Sequence, residues 1–392
     1  WCGKSFHYLK SHISMGRCEN IPESAKGLDV DEVVKMYTSA FPDEPTISRT
    51  ALVKLNEKRA ERHSGEGKVA EISAHPGYAG TVEYKTELVA AHELLGVTIK
   101  ELGTPRGKPL QVTVNVNTPY PEFVPEAKKN YVYGDFDLIK DIFMMLEIGI
   151  PGYLWGHAGT GKSSLPTQLC ALLNRPLIRA QHTASMEEAH VTGQILARDG
   201  STYFEPGLLA LAMKNGWVYL ADEYDFAFPQ ILGVYQPVLE GEPLIIKEAT
   251  PDWRRITPHK RFAFIGTGNT NGSGDETGLY QGTNIQNAAN FSRFGIVSNV
   301  KYMSTKAEVN MLAEAGVIRE YAEKMVKFAN LVREGYEQHL ISQPIGPREL
   351  LLSAKIGMMR GDFSAGIEKS FINKLPSTSA QAAREVVQKI FG

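Results

Sequence analysis

"WGHAGTGKSS", residues 155–164, packs three glycines (Gly156, Gly159, Gly161), a lysine and two serines into ten positions, just after the apolar run Gly149-Ile-Pro-Gly-Tyr-Leu154. Gly156-x-x-x-x-Gly161-Lys162-Ser163 has the spacing of a phosphate-binding loop, a motif that needs a strand before it and a helix after it. Leu165, Leu169, Leu172 and Leu173 supply the helical spacing downstream. Glycines let backbone N–H groups close around phosphate oxygens, and the helix adds its positive end. Lys162 is expected to reach the β- and γ-phosphates and Ser163 to ligate magnesium. His157, Ala158, Thr160 and Ser164 complete the expected nucleotide-binding loop. Pro166 stands early in the helix, where it removes at most one backbone bond near the first turn.

Hydrolysis requires more than a cradle, and the next apolar segments supply candidates. Trp217-Val-Tyr-Leu-Ala221 reads as a buried strand ending in Asp222-Glu223. Asp222 can hold magnesium, directly or through water, and Glu223 can polarise an attacking water. A second strand, Arg261-Phe-Ala-Phe-Ile265, leads to Asn269, placed where a γ-phosphate sensor is useful. In Asn290-Phe-Ser-Arg293-Phe294 an arginine stands between two aromatics. It is either a packed surface residue or an arginine finger acting on the next subunit's ATP.

Around this centre the 392 residues allow two or three domains. Lys plus Arg is 42 against Asp plus Glu 44, so the net charge of −2 gives no global attraction to nucleic acid or acidic membrane. No apolar run approaches about 18 residues, and the N-terminus lacks a secretory pattern. Three cysteines make no disulfide framework, so a cytoplasmic protein without membrane contact is expected. Val112, Val114 and Val116 alternate with polar neighbours and predict a strand. Strands and helices alternate from Tyr131 to about Val300, which implies an α/β fold with a parallel sheet flanked by helices. Beyond Ser304 the pattern is helical, with Met325, Phe328, Ala329, Val332 and Tyr336 on one face. The expected organisation is a small unit at 1–20, helices and a charged linker at 21–67, an accessory region with strands at 68–130, the α/β core at 131–303 and a helical lid domain at 304–392.

The first unit carries Cys2, His12 and Cys18, with Phe6 and Leu9 as a small apolar pair. The pattern resembles the second half of a short prokaryotic zinc finger. Tetrahedral zinc takes four ligands, and a first cysteine three positions before Cys2 would lie upstream of Trp1. Otherwise these cysteines are incidental and His12 is a surface residue. Lys4, Lys10, His12 and Arg17 make the unit basic, leaving contact with nucleic acid or with protein open.

The segments from Gly156 through Asp222-Glu-Tyr-Asp225, Gly268-Asn-Thr270, Gly274-Asp-Glu-Thr-Gly-Leu-Tyr-Gln-Gly-Thr283 and Ser292-Arg-Phe294 closely resemble the CobS-like AAA+ ATPases of the MoxR group. The likeness covers roughly residues 131–392, and the 274–283 string is its most specific part. It implies an AAA+ P-loop NTPase that hydrolyses ATP to ADP and phosphate with Mg2+. Lys162 and Ser163 then serve phosphate and metal, Asp222 and Glu223 form Walker B, Asn269 is sensor 1, Arg293 the arginine finger and Arg348 sensor 2 on the lid. It further implies a homo-hexameric ring that remodels a partner with a von Willebrand A domain, as CobT-like proteins have, and hairpin insertions at about 193–204 and 242–257. The residues before 120 are not part of the likeness, and similar modules occur in phage genomes outside any cobalamin pathway. Three readings therefore stand: a general protein-remodelling motor, a cobaltochelatase ATPase subunit, and a zinc-finger nucleic-acid-binding scaffold whose oligomerisation ATP controls.

Overall fold

The computed structural model describes residues 82–392 apart from Pro105 and Asp199, and of the earlier residues Glu32–Val34 and Ser39. Cys2, His12, Cys18 and the linker expected before residue 67 lie outside the described residues. The chain divides into Trp1–Glu71 and Ile72–Gly392. In the first, Glu32–Val34 are helical and Val33 is buried.

The second unit opens with an antiparallel ribbon, β1 (Thr86–Ala90) and β2 (Gln111–Asn115), in the register Val89 to Val112. The expected valine alternation holds for two of its three residues: Val112 is fully buried and Val114 partly so, but Val116 lies past the strand end and is exposed. The ribbon packs on α1 (Phe136–Ile148), whose inner face is Ile139, Ile142, Phe143 and Leu146. Asp135 caps that helix by accepting from the amides of Asp137 and Leu138 at 3.1 and 3.0 Å.

The chain continues through β3 (Gly152–Trp155), α2 (Ser164–Leu172), β4 (Leu177–Gln181), a ribbon of β5 (Gly193–Arg198) and β6 (Ser201–Pro206), α3 (Leu208–Asn215) and β7 (Val218–Asp222). Two short strands, β8 (Leu244–Ile245) and β9 (Arg255–Ile256), precede β10 (Ala263–Gly268), α4 (Ala288–Phe291) and β11 (Ile296–Asn299). β3, β4, β7, β10 and β11 form one parallel sheet in the order β11-β3-β10-β7-β4. Alternate residues divide the core. Val218 and Leu220 join α1 and α2 on one face, and Tyr219 and Ala221 join α3 on the other. Burial on both faces is why these strands read as unbroken apolar runs.

The insertion at 193–206 is the expected hairpin, paired from Gly193–Pro206 to Arg198–Ser201. The second differs. β8 and β9 pair over only two residues, and a helical turn, Pro251–Arg254, separates them. Pro251 favours that turn at its first position, and the buried Trp253 anchors it, with the Lys214 ammonium 3.9 Å above the indole.

The C-terminal region is helical: α5 (Thr305–Glu314), α6 (Arg319–Glu337), α7 (Pro347–Arg360), α8 (Phe363–Ser370) and α9 (Ser377–Phe391). Met325, Phe328, Ala329 and Val332 of α6 are fully buried in its own core. A bidentate pair ties α5 to α6, with Arg333 donating to both Glu308 carboxylate oxygens at 2.8 Å. Among the described residues no helix is long and apolar enough to cross a membrane.

Candidate functional site

Parallel pairing sets the site. β10 lies between β3 and β7, with Gly268 opposite Trp155 and Gly266 opposite Ala221, so Gly156, Asp222 and Asn269 leave neighbouring strands at one edge. Gly156 has φ 146°, and a Cβ there would come within 2.4 Å of the Val300 carbonyl oxygen. A side chain would force the loop off the sheet edge. The loop then curls round its own lysine: Lys162 Nζ donates to the carbonyls of Gly156 (2.7 Å) and His157 (2.8 Å) and to Asn269 Oδ1 (3.1 Å). Burial pulls this ammonium down to about 8, and Arg348 pushes it the same way, while Asp225 and Asp222 oppose the shift. Arg348, in the first turn of α7, packs beside Gly159: a Cβ on that glycine would lie 3.3 Å from the Arg348 Cβ.

Ser163 follows at the start of α2 and donates its hydroxyl to Asp222 Oδ1 at 2.5 Å. Thr267 of β10 donates to the same oxygen, and Arg179 of β4 pairs with Oδ2. Burial alone would raise the Asp222 carboxyl, but the hydroxyls of Ser163 and Thr267 and the Arg179 guanidinium outweigh it and leave the group below its ordinary value. Glu223 adopts φ 53°, a left-handed conformation rare outside glycine, which turns its side chain out of the strand path. Gln181 at the end of β4 donates to it. Partial burial and the Asp222 and Asp225 charges raise the Glu223 carboxyl.

Asp225, fully buried, fixes the neighbouring loop: its Oδ2 accepts from the amides of Asn269 (2.8 Å) and Thr270 (2.9 Å) and from the Thr270 hydroxyl (3.0 Å). Burial raises its carboxyl against those bonds. This explains how Asn269 comes to face Lys162.

Lys162, Ser163, Asp222, Glu223, Asn269 and Arg348, all expected from the sequence, are thus gathered around one loop. Arg293 stands apart. Its Nε donates to Glu240 Oε1 at 2.8 Å and its Nη1 to the Ala289 carbonyl. Arg179, Gln181, Thr267 and Asp225 were not foreseen as parts of the site. Asp225 had a signal in its acidic run with Asp222 and Glu223.

The donor set suits magnesium. The Ser163 hydroxyl and the Asp222 carboxylate are adjacent hard oxygens, and Mg2+ needs only one or two protein oxygens beside substrate phosphates and water. The arrangement can hold a polyphosphate against backbone amides and an ammonium, with one carboxylate at the metal position and a second, more readily protonated one beside it.

Residues 153–283 match the family described as AAA domain (dynein-related subfamily). The aerobic cobaltochelatase subunit CobS of Sinorhizobium sp is 32% identical over 249 residues, which is 60% of this chain and 74% of that protein. An uncharacterized protein of Staphylococcus aureus (strain NCTC 8325 / PS 47) is 23% identical over 265 residues, 66% of this chain and 96% of its own length. Among solved structures, the RuvB Holliday junction branch migration motor of Thermotoga maritima aligns with a TM-score of 0.38 at 13% identity, over 68% of this chain and 72% of that one.

Proposed function

The chain belongs to the CobS-like family of AAA+ ATPases, and from that we propose that it works as a ring motor whose ATP sites lie between protomers and whose lid movements remodel a protein partner. The loop amides after Ala158 and the Lys162 ammonium bind the phosphates. Ser163 and Asp222 would hold Mg2+, which when bound offsets phosphate charge. Glu223 takes the role of polarising the attacking water, Asn269 senses the γ-phosphate from its contact with Lys162, and Arg348 brings the lid to the loop. Arg293, turned to the surface on Glu240, is assigned to the neighbouring protomer's ATP. A homo-hexamer is the expected assembly, and a protein with a von Willebrand A domain the expected partner.

The observation carrying this reading is the contact of Ser163 with Asp222, because it joins the loop to the acidic strand end across 59 residues of sequence. A mixing experiment tests the shared site. Glu223→Gln and Arg293→Ala proteins should each be inactive alone. Mixed, they form seams in which one protomer supplies an intact acid and the other an intact arginine, so activity should return. Mixtures as inactive as the single variants would refute a site shared between protomers.

The identity to CobS favours one narrower task, cobalt insertion in a cobaltochelatase. Cobalt incorporation into a corrin precursor, assayed with candidate partner subunits, separates this from general remodelling. ATPase activity stimulated by a von Willebrand A protein without any cobalt incorporation would leave only the general motor.

A further inference from the structure

The string at 274–283 is the most specific part of the family likeness, yet nothing in the hydrolytic scheme uses it. Its loop is built round Asp275. Oδ1 accepts from the Thr277 amide (2.9 Å) and hydroxyl (2.8 Å), and Oδ2 from the Tyr280 amide (2.7 Å). Gly278 makes the turn between them at φ 75°. This tight loop leans over the phosphate-binding loop, where the Tyr280 hydroxyl accepts from the Ala158 amide at 3.1 Å and lies 2.9 Å from His157 Nδ1.

A hydroxyl has one proton. Its oxygen can accept two hydrogen bonds, so the phenol takes the Ala158 N–H and still bonds His157 Nδ1 in either tautomer of the ring. The ring stacks on Tyr302 (centroids 5.8 Å apart, planes 3° from parallel) and meets the edge of Tyr336 from α6. Tyr302 lies under the Arg333 guanidinium at 4.0 Å, which Glu308 and the Ile345 carbonyl fix in turn. One imidazole thus joins the 274–283 loop, the phosphate-binding loop and the helical region. The His157 carbonyl also accepts from Lys162 Nζ and from the Thr160 hydroxyl. Any shift of the 157–158 backbone therefore moves the oxygen that aims the lysine.

We propose that Tyr280 is a positioning residue for nucleotide binding: its hydroxyl clasps the His157–Ala158 backbone and so sets the aim of Lys162, without touching the acidic end at Asp222 and Glu223. The inference rests on the reading of 156–164 as the nucleotide site. In the full chain, Tyr280→Phe should raise the Kd and KM for ATP about fivefold, the scale of a lost hydrogen bond, with kcat within about twofold and a melting temperature within about 4 °C of the parent. His157→Phe keeps a ring on Tyr302 but removes the ring nitrogen, and should shift KM the same way by no more than Tyr280→Phe does. The double variant should be no weaker than Tyr280→Phe alone, which already removes the His157 contact along with the Ala158 one. An unchanged KM in Tyr280→Phe, a fall in kcat at constant KM, or single effects that multiply would each overturn the assignment. Lys162→Ala separates the two levels. If it loses ATP binding while Tyr280→Phe keeps normal affinity, only the clasp is refuted. If Lys162→Ala binds ATP normally, the nucleotide site itself is elsewhere and the clasp falls with it.

Discussion

Lys162 and Arg293 are two of the cations expected at the triphosphate, and the fold treats them oppositely. Lys162 is 9% exposed and turned inward onto two carbonyls of its own loop and Asn269. Arg293 sits at the surface on a half-exposed Glu240. An ammonium held by backbone oxygens beside the loop amides suits a ligand inside its own protomer. A guanidinium on a solvated acid can be handed to a neighbour, because an exposed pair is worth only about 0–1 kcal/mol and costs little to exchange.

The sharpest way to break this contrast is to remove each cation. Lys162→Ala should abolish ATP binding, measured by titration with a fluorescent nucleotide. Arg293→Ala should leave that affinity nearly intact and lower turnover about a thousandfold, the scale of an arginine finger. If Arg293→Ala weakened binding as Lys162→Ala does, both would serve the same protomer and the contrast would be lost.

The contrast also tracks what could be read in the chain. Lys162, Ser163, Asp222 and Asn269 were legible because each ends or follows an apolar strand, and parallel strands bring their C-terminal ends to one edge. Thr267 and Gln181 were not, because their contacts with Asp222 and Glu223 depend on the register of β10 and β4 against β7, which no local pattern encodes. β1 was hidden for a related reason: Leu88, its central apolar residue, faces solvent at 70% exposure, so the strand shows no buried alternation. In the second insertion, Pro251 and Trp253 build a turn where the family likeness had implied only a hairpin.

Acid should act on the inner region first. Behind Asp222, His182 is fully buried; its Nδ1 faces the carbonyls of Ala180 (3.0 Å) and Asp222 (3.2 Å), and its Nε2 lies 2.8 Å from the Tyr235 hydroxyl, itself bonded to Tyr219. Burial pulls its pKa down from 6.5 to about 4, against those carbonyls and the Asp222 charge. The unfolded chain therefore binds this proton first. The stabilisation is complete above pH 6.5 and drains away as pH falls to about 4, a loss of about 3 kcal/mol. Thermal melts across that window should fall less steeply for His182→Gln. Parallel slopes would show that some other group carries the acid sensitivity.

The smallest effect should come from the partner that Arg293 uses at the surface. Glu240→Gln keeps the size and one acceptor oxygen of the side chain but removes the charge, so the guanidinium is freed without opening a cavity. Stability should change by less than about 1 kcal/mol, since both groups reach solvent, and turnover should stay within about twofold of the parent. Calorimetry and a steady-state ATPase assay on the assembled protein measure the two quantities. A collapse of turnover to the level of Arg293→Ala, at normal stability, would mean that Glu240 aims the guanidinium rather than merely parking it. The surface arginine would then be as firmly built as the buried lysine.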